Sequence, residues 1–585
     1  MKRLLSMLSY PKLPVITAFL AVGLTLPALW NGFCFDDYLQ RLILLGDNPV
    51  SREMPATPWN LFCFHRGDNV VTKRLVYEGA FPWWMDGIRF RAYFFRPVSS
   101  LSHWLDYLLW PDSPPLMHAQ SLLWYGLLVG LATLLYQRIM GITWTAGLAA
   151  LFFALDDAHG FPVGWLANRN ALLACVFGLL CLLAHHRWRQ EDWKTGAVIA
   201  PLCLALSLLS GEAGLAIVGY LLAHTIFIEQ TSLRGRIKSF IPYAGVLFLW
   251  ALTYVLLGCG IEGMAFYTDP LRETLPYMVD LYERIPVFIL GQLGFPPVVY
   301  YTFWPEMMGL AGIAFCGLLI LLLIPVLRQD RIARFWATGM IISILPISAV
   351  WPHDRNLLFM GIGAMGLIAC WFNNISRIAW SEKSHLWLFF MRSLVVLFII
   401  IHGLLAPLML PFTSCIIARF QQKIETAARG LPSGPEYKDA QFIFINAPNY
   451  LFYVHNIGHM RAVKGDSINL RALAAGKTPL QATRLDDNAI KITADGGTLI
   501  DIDRGFRIYQ HATSYPGQTV KQFDVVVDVL EVCDGKPSSA IFRFAEPLDN
   551  PSYLWFNWKH DRYVPFSLPQ VGETVSVEGA RLDWR

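Results

Sequence analysis

Phe33-Cys34-Phe35-Asp36-Asp37-Tyr38 follows directly on the first long apolar run of the chain, Leu13 to Trp30. A run of roughly 18 or more apolar residues is long enough to cross a hydrocarbon core of about 30 Å. Two adjacent carboxylates at its edge add nothing to burial, because like charges repel and each must stay solvated or find a partner. Ionisable groups at the mouth of a membrane bundle mark a functional site by default. The pair therefore raises two questions: what fold surrounds it, and what chemistry it serves.

The composition around it is that of a polytopic α-helical membrane protein. Of 585 residues, 55% are hydrophobic and only 15% charged, with a mean hydropathy of +0.42; soluble domains carry about 25% charge. The net charge of +4 is small and its basic residues are dispersed in short clusters between apolar runs, so no nucleic-acid partner is indicated. Met1-Lys2-Arg3 ahead of the first run resembles a signal peptide, but no convincing small-residue cleavage site follows, and the helix reads as retained. Cys175, Cys181, Cys203, Cys316 and Cys370 lie inside apolar runs as small hydrophobes. Cys34 and Cys63 share the loop after the first helix and are candidates for a disulfide, whereas Cys533 has no evident partner.

Basic clusters set the expected topology. Met1-Lys2-Arg3 holds the N-terminus in the cytoplasm, which places Asp36 and Asp37 outside at the start of a long outer loop, 31–115. About eleven spans are expected, near residues 13–30, 116–137, 143–155, 171–186, 195–209, 213–228, 239–258, 309–327, 335–350, 357–372 and 386–410. The turns His185-His186-Arg187-Trp188-Arg189 and Arg234-Gly235-Arg236-Ile237-Lys238 then fall inside. Arg284 to Trp304 is apolar but holds three prolines, and counting it as a span would put Arg328, Arg331 and Arg334 outside. It reads as re-entrant or interfacial, with twelve or thirteen spans left open. The chain divides into a transmembrane part, 1–411, a linker with a helical stretch, 412–439, and a β-rich soluble domain, 440–585. In the last, short runs such as Phe523-Asp524-Val525-Val526-Val527-Asp528-Val529 alternate between turn residues. This topology implies an inner (plasma) membrane protein whose C-terminal domain is periplasmic or extracellular.

With that topology several polar clusters share the outer face. They are Asp36-Asp37; Arg96 with His103 and Asp106; Asp156-Asp157-Ala158-His159; Asn168-Arg169-Asn170; the turn Ser210-Gly211-Glu212; and Trp351-Pro352-His353-Asp354-Arg355-Asn356. Acids and arginines gathered on one face suggest an acid or base working beside an anion site, since the guanidinium fork suits phosphate. Each also has a plainer reading. The acid pairs end helices where caps are common, Arg355 has the reach to snorkel to headgroups, and Glu212 stands in a turn open to solvent. His103 and Asp106, one turn apart, read as a solvated helix face, and His185-His186 as polar punctuation on the other side of the membrane.

Taken in order, the clusters resemble a known pattern. An acid pair after the first helix characterises GT-C fold glycosyltransferases that use polyprenyl-phosphate sugar donors. Tyr93-Phe94-Phe95-Arg96-Pro97-Val98, Leu105-Asp106-Tyr107 and Pro115-Leu116-Met117-His118 are similar to the stretch before the second span of TMTC-type protein O-mannosyltransferases. Further along, Phe153 to Asn170, Leu209 to Gly214 and Trp351 to Leu358 are each similar to later motifs of that family, so that the resemblance covers about residues 10 to 375 in all. The chain departs from that family where Asp156-Asp157 replaces His-Pro, Gly160 replaces Glu, Asn170 replaces Asp, and Ser210-Gly211 replaces the Lys before Glu212. A β-rich region also stands in place of tetratricopeptide repeats, so a bacterial relative is expected.

The resemblance implies an inverting hexosyltransferase acting on the outer face. Asp36 or Asp37 is the expected general base, so that replacing either by Asn should abolish transfer. Arg355, helped by Arg96 and Arg169, is expected to hold the departing lipid phosphate. Asp156, Asp157, His159, Glu212 and His353 are expected to orient the substrates. No metal ligand set is required, although a Mg or Mn ion between the acids is compatible with oxygen ligands. The implied partners are a polyprenyl-phosphate-linked sugar, an acceptor protein, lipid or glycan, and membrane lipid. The alternative is a non-catalytic lipid or lipid-linked-glycan transporter, or an envelope scaffold. Transporters usually place charges within their spans and repeat their halves, and neither feature is visible in this sequence.

Overall fold

A computed structural model describes residues 2–45, 57–376, 385–502 and 513–582. Among them, seven helices are long and apolar enough to cross a membrane: Leu13–Trp30, Pro114–Met140, Leu166–Gln190, Leu233–Leu256, Pro305–Gln329, Leu358–Ser376 and Phe389–Ala428. Trp144–Leu155, Gly196–Ser210 and Glu212–Phe227 are shorter apolar helices. Twelve residues of helix reach only about 18 Å, so Trp144–Leu155 cannot cross a bilayer unaided; its residues are mostly buried among other helices. The remaining expected span, 335–350, falls on the helix Arg331–Ile347.

Burial separates the middle of the bundle from its rim. Leu358–Ser376 is 83% buried over its apolar window, whereas Leu233–Leu256 is 11% buried and turns Phe248, Leu249, Leu252 and Val255 outward. An apolar helix with so little protein around it belongs against lipid. The stretch expected to be re-entrant is largely helical. Thr274–Leu293 forms one helix, with Val287, Phe288 and Leu290 buried, and Arg284 pairs with Asp280 at 2.7 Å while donating to the Ser348 carbonyl at 2.7 Å.

The C-terminal region is β-rich and holds two sheets. One is six-stranded and antiparallel, in the order 574–577, 480–484, 489–494, 536–544, 525–533 and 519–522. The other places strand Gln441–Ala447 between parallel neighbours Tyr553–Lys559 and Leu470–Gly476. Phe442 to Ala447 are all buried, as a parallel strand covered on both faces requires.

The outer loop and this region share one core. Phe35, Leu75, Val76, Phe81, Trp83 and Trp84 pack with Phe442, Phe444, Tyr450, Leu473 and Phe542. Trp83 donates its indole N–H to the Leu473 carbonyl at 3.0 Å, and Gln522 donates to the Val76 carbonyl at 2.9 Å. The expected linker is also packed. Its helix Ile416–Ala428 buries Ile417, Gln421, Ile424 and Ala427.

The chain reaches that helix through a close crossing. Asn31 donates to the carbonyls of Gly164 at 2.8 Å and Ser414 at 2.7 Å. A Cβ on Gly164 would lie 1.9 Å from the Ser414 oxygen, and one on Gly160 would lie 2.1 Å from Thr413 Oγ1. Gly164→Ala is therefore expected to destabilise the protein by about 1–3 kcal/mol, read as a lower melting temperature in detergent.

Candidate active site

A cavity of about 670 Å³ opens where the bundle, the outer loop and the C-terminal region meet. Its walls are largely apolar, and its polar groups include Asp36, Arg96, Glu212 and Arg355. Four candidates drawn from distant parts of the sequence thus converge on one space. Trp250, Tyr254 and Val255 of the lipid-facing helix form one wall, and Phe452, His455, Asn456 and His459 of the C-terminal region form another.

The two adjacent acids separate at a backbone corner. Phe35 has φ +48°, a left-handed conformation rare for a bulky side chain and typical of strained functional sites. Its ring is gripped by Phe420 at 5.2 Å, Phe452 at 5.1 Å and Trp165 at 6.2 Å, and its N–H donates to Gln421 Oε1 at 3.2 Å. Beyond the corner Asp36 faces the cavity. Burial pushes its carboxyl up to about 6, against the pull of Arg355 and Arg96. Asp37 turns the other way and is 2% exposed, accepting the backbone N–H of Cys34 and of Ala167, both at 2.8 Å. Burial drives its carboxyl up to about 8, with those two N–H groups opposing.

The arginines divide in the same manner. Arg355 lies with its guanidinium 5.5 Å from the Trp165 ring and 6.0 Å from that of Phe161. The backbone N–H of Arg355 is received by His353 Nδ1 at 3.1 Å. Asp354 accepts from Val298 and Val299 N–H at 2.8 and 3.0 Å, which fastens that turn. Arg96 rests over Phe94 at 4.4 Å and pairs with Glu212 Oε2 at 2.7 Å. Glu212 Oε1 is buried with no hydrogen-bond partner among the described residues.

Arg169 does not reach the cavity. It is fully buried and pairs with Asp106 at 2.5 Å, donating also to Ser121 Oγ at 2.9 Å, the Met117 carbonyl at 2.7 Å and Gln120 Oε1. A guanidinium so enclosed and so occupied is not presented to a ligand in the cavity. The same pair corrects the reading of His103 and Asp106 as a solvated face, since both are buried. Asp156, Asp157, His159 and His353 are likewise not among the residues lining the cavity. Asp156 caps a turn through Ala158 N–H and accepts from Gln292 at 2.7 Å, and His159 is enclosed beside Phe153 and Tyr125. Burial, with Asp156 and Asp354 nearby, drives the Asp157 carboxyl up to about 8. His353 packs against Phe161 at 4.6 Å, and burial lowers its imidazole to about 3. Cys34 and Cys63 are both buried free thiols.

Reading the sequence missed the C-terminal contribution. His455 and His459 are four residues apart on one continuous helical stretch, a spacing that puts both on one face. Burial holds both imidazoles low, His455 at about 4. That spacing was the available signal. What it faced depended on the fold.

No protein-family profile matches the chain. It is 26% identical over 259 residues to protein O-mannosyl-transferase tmtc2 of Xenopus laevis, covering 42% of this chain and 28% of that protein. Against TMTC2 of Homo sapiens the figures are 24% over 236 residues, 39% and 25%. The chain resembles TMTC-type O-mannosyltransferases. It spans about a quarter of the length of those curated relatives. A solved structure similar to it is the apo oligosaccharyltransferase of Archaeoglobus fulgidus, with a TM-score of 0.40 at 14% identity, covering 77% of this chain and 63% of that one.

Proposed function

We propose that the protein is an inverting GT-C-type glycosyltransferase that moves a sugar from a polyprenyl-phosphate donor to an acceptor hydroxyl. The observation that carries this reading is the convergence of Asp36, Arg355 and the Arg96–Glu212 pair on one cavity beside a lipid-facing helix. Asp36 takes the proton of the acceptor hydroxyl as that oxygen attacks the anomeric carbon. The bond to the phosphate oxygen breaks as the new bond forms on the opposite face, which inverts the centre. Arg355 meets the charge left on the lipid phosphate, and Arg96 is aimed by Glu212. A phosphate is already a good leaving group, so one carboxylate base suffices. The lipid tail lies along Leu233–Leu256 and the acceptor enters under the helical stretch 451–463 that carries His455 and His459. In this reading the chain crosses the membrane about eleven times, with the cavity and C-terminal region on the outer side of the inner (plasma) membrane. A Mg or Mn ion, expected between the acids, would rest on Asp36 instead, since both Asp37 oxygens accept backbone N–H groups.

The test is transfer of radiolabelled sugar from a polyprenyl-phosphate donor by the protein purified in detergent. A labelled product is expected, and donor binding without any product would favour the transporter alternative. The pH dependence has a defined sign. A base works deprotonated, so kcat/KM is expected to rise with pH through about 6 and then level. A profile flat from pH 5 to 8 would exclude Asp36 as the base.

A further inference from the structure

We propose that His185, His224 and Glu229 form a binding site for a divalent zinc-class ion at the end of the bundle remote from the cavity. Asn170, which lines the cavity, and His185 share one helix and lie about 22 Å apart along it at 1.5 Å per residue. Among the described residues, this is the one group of three His, Cys, Asp or Glu whose ligand atoms all lie within 4.8 Å of one another. All three side chains are fully buried.

The spacing suits a tetrahedral ion. Glu229 Oε1 lies 3.1 Å from His185 Nε2 and 3.9 Å from His224 Nδ1. Bonds of 2.0–2.1 Å at tetrahedral angles put ligand atoms about 3.3 Å apart, between those two values. Two imidazoles and one carboxylate favour zinc over magnesium or calcium, which prefer all-oxygen sets.

Each ligand is also held by a neighbour that leaves its metal-facing atom available. His185 Nδ1 is 2.8 Å from the Tyr243 hydroxyl, so an N–H donated there leaves the Nε2 lone pair free. His224 Nε2 is 3.1 Å from His186 Nδ1 and donates its proton there, leaving Nδ1 free. Glu229 Oε2 is engaged by Arg189 at 3.2 Å and Thr231 at 3.2 Å, which turns Oε1 inward. Partners of this kind fix ring tautomer and orientation in metal sites. The adjacent His185 and His186 thus have separate tasks, one as ligand and one as support. A plain hydrogen bond from His185 to Glu229 explains only part of the cluster. It leaves His224 Nδ1 buried with no hydrogen-bond partner among the described residues, a costly arrangement that a metal ion resolves. The ion would tie the helix Arg169–Gln190 to Ile217–Phe227 and to the turn at Glu229.

Metal content of the full-length protein in detergent tests this independently of any sugar transfer. After chelation and dialysis the protein is titrated with zinc chloride and analysed by mass spectrometry. About one zinc per chain and a higher melting temperature are expected, with no response to magnesium. His224→Ala should remove the bound zinc. Tyr243→Phe, which retains packing, should weaken zinc affinity roughly 10–100-fold; this keeps the test intact if His224→Ala does not fold. Absence of bound zinc in the unaltered chain, or unchanged zinc affinity in Tyr243→Phe, would overturn the proposal.

Discussion

Asp36→Asn is expected to lower turnover by about 10²–10⁴-fold, the usual contribution of a positioned general base, with little change in melting temperature. Asn is nearly isosteric but cannot accept the hydroxyl proton, and among the described residues no backbone N–H bonds to Asp36 that the change would disturb. Asp37→Asn should behave in the opposite way. Asp37 accepts N–H bonds on both oxygens, and Asn would point an NH₂ group at one of these donors. Leaving that buried N–H unmet costs about 1–3 kcal/mol, so the yield of folded protein falls. Turnover per folded molecule should change far less than in Asp36→Asn. The two variants, assayed side by side for melting temperature and transfer, decide between the acids. Loss of turnover in Asp37→Asn with full activity in Asp36→Asn would reverse the assignment.

Arg169→Met is expected to cost about 3–5 kcal/mol of stability, because it strands Asp106 as an unpaired buried carboxylate. Asp106 is fully buried and its Oδ1 already lacks a hydrogen-bond partner. The double variant Arg169→Met, Asp106→Leu should recover part of the loss, since it removes both charges together. Melting in detergent, read by size-exclusion chromatography after heating, separates this from a role in donor binding. A phosphate-binding Arg169 would instead give a stable variant with a raised KM for the donor.

The two acids show how far sequence reading reached. An acid pair after an apolar span draws attention to that region, because carboxylates there add nothing to bilayer burial. It does not say which acid faces the cavity. That depends on φ of Phe35, which is held by aromatic rings from residues 165, 420 and 452. The arginines were equally ambiguous. Arg355 and Arg169 each stand in a polar cluster between apolar runs, yet one lines the cavity and the other is consumed by Asp106, Ser121 and Met117. His185-His186 looked like punctuation because the sequence does not place Glu229 and His224 beside it.

Local chemistry alone determined that this chain is helical where it is apolar for long stretches, β-rich after residue 440, and gathers its acids and arginines in a few polar clusters between apolar runs. Hydropathy and strand alternation are properties of contiguous residues, so they can be read in order along the chain. The site itself is built across the chain: Arg96 meets Glu212, Gln421 bridges Phe35 to Asn456, and the helical stretch 451–463 completes the cavity wall. Only the tertiary structure decided those pairings, because a side chain's role depends on what remains unpaired around it once the core has closed.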